Sequence, residues 1–267
     1  MFQTVSMELS HLSLPFLTPY LADIEEARVS FVSGCGFEID SGSEYAKIIE
    51  QFLDLDFDEE YKKDLIHIPV AEELVGEVDI ARDLRGTRHI HVREPYRQLF
   101  QKLQPFSWAK SSVGTRLGGV VITGQPGIGE FCLVCVMNPH STCVGKTTFL
   151  WFMFLCCIMK RYTVIFNISD TYVLFDSGSN YTTRAKPTLI HFHDLRWLLI
   201  DIDKLSQADR TDFKWCLFHV PIIQTSSPNP ENFPWAKKSG WLWGMPLWTR
   251  EEIMKAYVHI LLVWFMR

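Results

Sequence analysis

Two short segments carry residue types suited to phosphate chemistry. Gly119 to Gly129 reads GVVITGQPGIG, an apolar run of strand length that empties into a glycine-rich turn. Gly145 to Thr148 reads GKTT and leads into the apolar run FLWFMF. A phosphate-binding loop has the form G-x-x-x-x-G-K-[ST] between a buried strand and a helix. Its glycines let backbone N–H groups point inward onto phosphate oxygens, and the helix N-terminus adds its dipole. Its lysine reaches the β/γ-phosphates and its hydroxyl binds Mg²⁺. Gly124, Gln125, Pro126, Gly127, Ile128 and Gly129 supply the first six positions. The seventh holds Glu130, whose charge repels phosphate. The missing half, Gly145, Lys146, Thr147 and Thr148, follows sixteen residues later. Without residues 130–145 the chain reads GVVITGQPGIGKTTFLW, a complete loop in its proper context.

The intervening EFCLVCVMNPHSTCVG has two readings. The first is a retained intron. Gly-Glu130-Phe131 can be encoded around a GTGAGT donor, Val144-Gly145 around a GTAG acceptor, and Pro139-His140 around a branch-like CTCAT. Both junctions share one phase, and sixteen whole codons leave the frame intact. The second reading is a metal site. Cys132, Cys135, His140 and Cys143 are four soft ligands, and structural zinc accepts a Cys3His set. Only two residues separate His140 from Cys143, where a zinc knuckle has four, and the segment lacks the glycines of a tight knuckle turn. The intron reading is preferred.

Phosphate loops work with an acid at the end of a buried strand. Trp197-Leu-Leu-Ile-Asp201 fits, and Asp203 lies two residues on, on the same side if the strand continues. Thr147 and Asp201 are thus the expected Mg²⁺ ligands. Lys146, Asp201 and Asp203 are the expected catalytic groups, with Asp203 an auxiliary acid or base. Val220 to Pro230 is a further apolar strand ending in polar groups. In many such folds this strand lies beside the loop and offers a polar side chain to the γ-phosphate. Thr225, Ser226 and Asn229 are candidates; a plain Ser/Pro/Asn turn is the bland alternative. Two histidine pairs, His89/His91 and His191/His193 with Asp194, are read as strand residues rather than metal ligands.

The elements that must hold these groups follow from periodicity. Strands are expected at Gly119–Thr123, Tyr162–Ile168, Thr171–Phe175, Leu189–His193, Trp197–Ile202 and Val220–Thr225, with the third and fourth as a hairpin around Asp176–Asn180. Helices are expected at Lys146–Met159 and Ser206–Phe218. Apolar strands alternating with helices imply a mainly parallel sheet covered on both faces. Upstream, Ser43–Leu55 has helical spacing, Asp54–Glu60 reads as a solvated acidic stretch, and Thr87–Val92 as a short strand. Pro95–Leu103 starts a helix with proline at its first position.

Composition bounds the alternatives. The 267 residues are 47 % hydrophobic and 21 % charged, as in ordinary globular chains, which excludes disorder and coiled-coil rods. Residues 1–110 hold 20 acids against 11 bases, and residues 111–267 hold 11 against 15. An acidic α+β region, 1–110, is therefore expected to precede a nucleotide-binding domain, 111–267, interrupted at 130–145. The acidic part suits a protein partner. The net charge of −5 does not indicate nucleic acid, although the basic C-terminal part leaves a nucleic-acid-associated role as an alternative. The N-terminus lacks the basic and apolar regions of a signal peptide, and Phe149–Met159 is too short to span a bilayer. Unevenly spread cysteines suit a reducing compartment, so the chain is expected inside the cell, in cytoplasm or nucleus.

The segments VREPYRQLFQKL, GVVITGQPGIG…GKTTFLW, TVIFNISDTYVLFD, LLIDIDKLS, QTSSPNP and WGMPLWTREEI resemble the P-loop NTPase module of fungal Crinkler-type proteins, itself similar to retrotransposon-hot-spot proteins. The resemblance covers about residues 85–257. It implies a three-layer α/β sandwich of the AAA/STAND-like class that binds ATP and Mg²⁺, with the loop on Gly124, Gly127, Gly129, Lys146 and Thr147 and the acid at Asp201. Such modules commonly accompany a nuclease-like or effector domain, and some members act in host cells or nuclei; against that pattern the domain at 111–267 is expected to be incomplete at its C-terminus. With the loop split, nucleotide binding by the chain as written is expected to be weak or absent. A nucleotide-independent interaction module is the alternative.

Overall fold

A five-residue strand, Gly119–Thr123, sits inside an eight-stranded sheet, where every apolar side chain of GVVIT is buried. The computed structural model describes residues 33, 37–39, 44–68, 89–104, 119–124, 144–168, 171–176, 179–183, 195–205, 222–236, 240–255 and 258. In chain order the elements are β1 (Glu38–Ile39), α1 (Glu44–Leu53), α2 (Phe57–Lys62), β2 (Leu65–His67), β3 (His89–His91), α3 (Glu94–Leu103), β4 (Gly119–Thr123), α4 (Val144–Met159), β5 (Val164–Ile168), β6 (Thr171–Asp176), β7 (Ser179–Thr183), β8 (Trp197–Asp201), β9 (Ile222–Ser226) and β10 (Gly240–Gly244). Short 3-10 turns at Ile202–Lys204 and Pro230–Asn232 follow β8 and β9.

The sheet order is β1-β7-β6-β5-β8-β9-β4-β10. Five neighbours, β10, β4, β9, β8 and β5, run parallel. The other three, β6, β7 and β1, extend the sheet antiparallel beyond β5. The fold is therefore mixed α/β with a mostly parallel central sheet. Strand β9 lies between β4 and β8, pairing Thr225 with Ile122 on one side and Asp201 on the other. Close approach of β4 and β9 explains Gly119. Its φ is +152°, and a Cβ there would collide with the Ile222 carbonyl.

Beyond its first turn helix α4 is apolar on every side, and every described residue from Gly145 to Met159 is buried. A helix apolar all round must be covered all round. One side packs on β5, β8 and β9, and the other contacts α1, α2, α3 and β3. The described N-terminal elements thus share a core with the sheet, joining Ile48, Ile49, Phe52, Tyr96, Leu99, Phe100 and Leu103 to Phe149–Met159. The sheet's opposite face forms a second cluster, with Leu198 and Ile200 of β8 alternating against Trp197 and Leu199 of the first.

Several boundaries differ from expectation. The partner of β6 in its hairpin is Ser179–Thr183, directly after the turn residues, rather than Leu189–His193, which lies outside the described residues. The strand from Trp197 ends at Asp201 and turns into a 3-10 helix. Part of the acidic stretch is helical as α2, because Asp56 caps it by accepting the Glu59 N–H at 3.0 Å. The helix expected at Ser206–Phe218 and the insert to residue 143 fall outside the described residues. Among the described residues, no helix is long and apolar enough to cross a membrane.

Candidate functional site

The C-terminal ends of β8 and β9 come together at the first turn of α4. In open α/β sheets ligands sit at this edge. Lys146 Nζ donates to Asp203 Oδ2 at 3.0 Å, and Thr147 Oγ1 donates to Asp201 Oδ2 at 2.6 Å. Two residues of the GKTT half thus meet the two acids of LLIDID, more than fifty positions away. All but Asp203 are buried; the Lys146 side chain is 6 % exposed and that of Asp203 25 %. The ammonium meets one carboxylate and the hydroxyl the other, which gathers hard oxygen donors and a cation at one edge of the sheet.

Asp201 closes β8 and lies inside. Asp203 arrives by a different route from the expected one. No strand carries it onward; the 3-10 turn at Ile202–Lys204 swings it back to the same edge. There Asp203 Oδ1 accepts both the backbone N–H and the hydroxyl of Ser227, each at 3.0 Å. Ser227 Oγ in turn accepts Asn232 Nδ2 at 2.9 Å, Gln224 Nε2 donates to the Asn232 carbonyl at 2.9 Å, and Trp235 Nε1 donates to Gln224 Oε1 at 3.0 Å. A chain of hydrogen bonds therefore anchors Asp203 to the turn after β9.

Ser227, immediately beyond β9, is a polar group that touches the site. Thr225 is fully buried in the sheet, its hydroxyl on the Ile200 carbonyl at 3.4 Å. Ser226 donates to the Ser227 carbonyl, and Asn229 caps the 3-10 turn by accepting the Glu231 N–H at 3.1 Å. Ser227 and Asn232 were hidden among several hydroxyl and amide groups in QTSSPNPEN.

Gly124 follows β4 directly and is half-buried. Gln125, Pro126, Gly127, Ile128 and Gly129 lie outside the described residues, as do Cys132, Cys135, His140, Cys143, His191, His193 and Asp194. Gly145 and Thr148 are buried with Lys146 and Thr147 at the start of α4. Tyr96 of α3 donates its hydroxyl to the Gly145 carbonyl at 2.8 Å. Burial pushes the Tyr96 phenol far above its ordinary range, so it keeps the proton it donates. His91 stacks on Trp248 with ring centroids 5.5 Å apart. Among the described residues no cluster of three or more His, Cys, Asp or Glu side chains is placed to cage a metal.

No family model matches the chain, and neither a curated protein nor a solved structure matches it.

Proposed function

We propose that this chain is a P-loop nucleotide-binding module, of the Crinkler-like kind its motifs resemble, built to bind ATP with Mg²⁺ and to hydrolyse it when its phosphate loop is contiguous. The single observation behind the reading is the convergence of Lys146 and Thr147 on Asp203 and Asp201 at one edge of a parallel sheet. A buried lysine, a buried hydroxyl and two acids in this arrangement suit a magnesium polyphosphate.

The donor set fits the ion. Mg²⁺ favours hard oxygens, keeps several waters and takes one or two carboxylates plus phosphate oxygens, so it needs no caged cluster. Thr147 Oγ1 and Asp201 are the residues that would hold it. Bound there, the ion would neutralise charge on the β/γ-phosphates. Lys146 would exchange Asp203 for phosphate, and Asp203 Oδ2 would then orient water. Ser227 would keep that carboxylate in place through Oδ1. Positioning and charge do most of the work in phosphoryl transfer.

For the chain as written, nucleotide binding would be weak, since Glu130 and the inserted segment separate amides that must converge. The test compares the full chain with its Δ130–145 form. A saturating ligand at about 100-fold its Kd stabilises by about 2.7 kcal/mol, or roughly 5–10 °C in Tm at this size. Mg²⁺-ATP should produce that shift in the short form, and Lys146→Ala and Asp201→Asn should abolish it. A short form that ignores ATP refutes the reading, and equal ATP affinity of both forms refutes the effect assigned to the insert. Sequencing the transcript across codons 129–146 separates a retained intron from a genuine protein loop.

A further inference from the structure

Both ends of the split loop are gripped from outside it. Where the chain leaves β4, the Thr123 carbonyl accepts the Met245 N–H at 2.6 Å. Where α4 begins, the Gly145 carbonyl accepts the Tyr96 hydroxyl. Arg93 joins the two grips. Its side chain is fully buried. Nε and Nη2 each donate to one Glu252 oxygen at 3.1 Å, and Nη2 also reaches the carbonyls of Pro246 at 3.1 Å and Leu247 at 3.0 Å, just after Met245. The same guanidinium lies 4.7 Å from the Trp248 ring centroid and 5.9 Å from that of Tyr96.

The Tyr96 ring continues along α4. It meets Phe149 edge-on at 5.3 Å and lies 6.0 Å from Phe152. Gly145, Phe149 and Phe152 are spaced i, i+4, i+7 and share one helix face. Lys146 and Thr147 lie about 100° and 200° further round, where they reach Asp203 and Asp201. Tyr96 therefore touches the face that fixes how far α4 is rotated. A side-chain tip about 6 Å from the axis moves about 2 Å for a 20° rotation. That displacement is enough to break the 2.6 Å bond between Thr147 and Asp201.

We propose that Tyr96, held by the clasp of Arg93 on Glu252, is a positioning residue for the phosphate site: it sets the first turn of α4 so that Lys146 and Thr147 meet Asp203 and Asp201. This rests on the nucleotide reading above for its functional meaning, while its geometry stands apart from it. It also places both loop ends under the control of residues outside the loop, whatever the loop's length.

The test is hydrogen exchange of the full chain carrying Tyr96→Phe, which keeps the ring and removes the hydroxyl. Exchange over residues 145–150 should rise about tenfold, with α3 and β8 unchanged, as for a local opening. Glu252→Gln should raise the same segment by less. A uniform rise across the chain, or no rise at 145–150, overturns the proposal. A second arm measures Mg²⁺-ATP affinity of the Δ130–145 form with and without Tyr96→Phe, and about a tenfold loss is expected, in line with coupling between packed neighbours. Equal affinity overturns the positioning role and leaves the nucleotide reading intact. Failure of the unsubstituted short form to bind overturns the nucleotide reading, and the exchange pattern alone then decides the role of Tyr96.

Discussion

Asp203→Asn should weaken the fold and strengthen anion binding at once. The amide keeps an oxygen for the two Ser227 donors, which both use Oδ1. Its NH2 replaces Oδ2 opposite the Lys146 ammonium, where the present contact is 3.0 Å. Two unit charges about 4 Å apart attract by about 4 kcal/mol at an effective dielectric of 20, before desolvation is subtracted. Exposed pairs retain about 0–1 kcal/mol, and removing one partner of a buried pair costs about 3–5. With Lys146 6 % and Asp203 25 % exposed, the pair lies between these limits. A loss of about 2 kcal/mol is expected from urea unfolding with an unchanged m value. Phosphate should respond in the opposite direction. Removing one negative charge beside a bound anion relieves repulsion, and a gain of about 1.4 kcal/mol is expected once screening is counted. Magnesium-free tripolyphosphate should therefore bind the Δ130–145 form about tenfold more tightly after the substitution. Lost stability with no gain in tripolyphosphate affinity would mean that Lys146 is only a buried ion-pair partner, and the phosphate reasoning would fail. A stability change below about 0.5 kcal/mol would refute the pair itself.

Two further outcomes follow from titratable groups. Burial acts to raise the Glu252 carboxyl, but hydrogen bonds from Arg93 and Thr249 outweigh it and hold it below the ordinary glutamate value of 4.5. Asp64 is likewise held low, since contacts from Arg97 and Lys255 overcome its burial. Unfolding then takes up protons as pH falls below the ordinary carboxyl range, so stability present at neutral pH is lost downward through the folded-state values. Glu252→Gln should flatten part of that acid slope in urea midpoints measured from pH 7 to 3, and an unchanged slope would contradict the clasp. Cys156 and Cys157 are fully buried, and burial pushes both thiols upward. Peptide mapping after iodoacetamide at pH 8 should find both unlabelled in the folded chain and labelled in urea; rapid native labelling would refute the packing of α4.

How much of this was legible depends on whether the information is local. Strand β4 was readable to the residue because GVVIT is apolar throughout and glycine follows it. Asp201 was readable because four apolar residues precede an acid, and the GKTT half named its partners by type. Asp203 was assigned to the right edge on the premise of a continuing strand, but a 3-10 turn delivers it. In that turn Asp203 Oδ1 accepts the Ser227 N–H and hydroxyl, a partner that lies beyond β9 and outside the local sequence. Ser227 itself could not be singled out, since Thr225, Ser226, Ser227 and Asn229 are equally polar and only the β9 register separates them. The clasp is the least legible part. Arg93 and Glu252 are 159 positions apart, and each has a bland local role: Arg93 precedes a helix opening with Glu-Pro, and Glu252 closes a T-x-x-E capping box whose Thr249 Oγ1 accepts its N–H at 3.1 Å. What the sequence did carry was the need for such a partner. An all-apolar helix cannot stand on one face of a sheet, so FLWFMFLCCIM demands a second cover, and the acidic N-terminal half contains the elements that provide it. The proposed phosphate site and the acidic N-terminal region are therefore one physical problem: α4 can present Lys146 and Thr147 only while its far side is held.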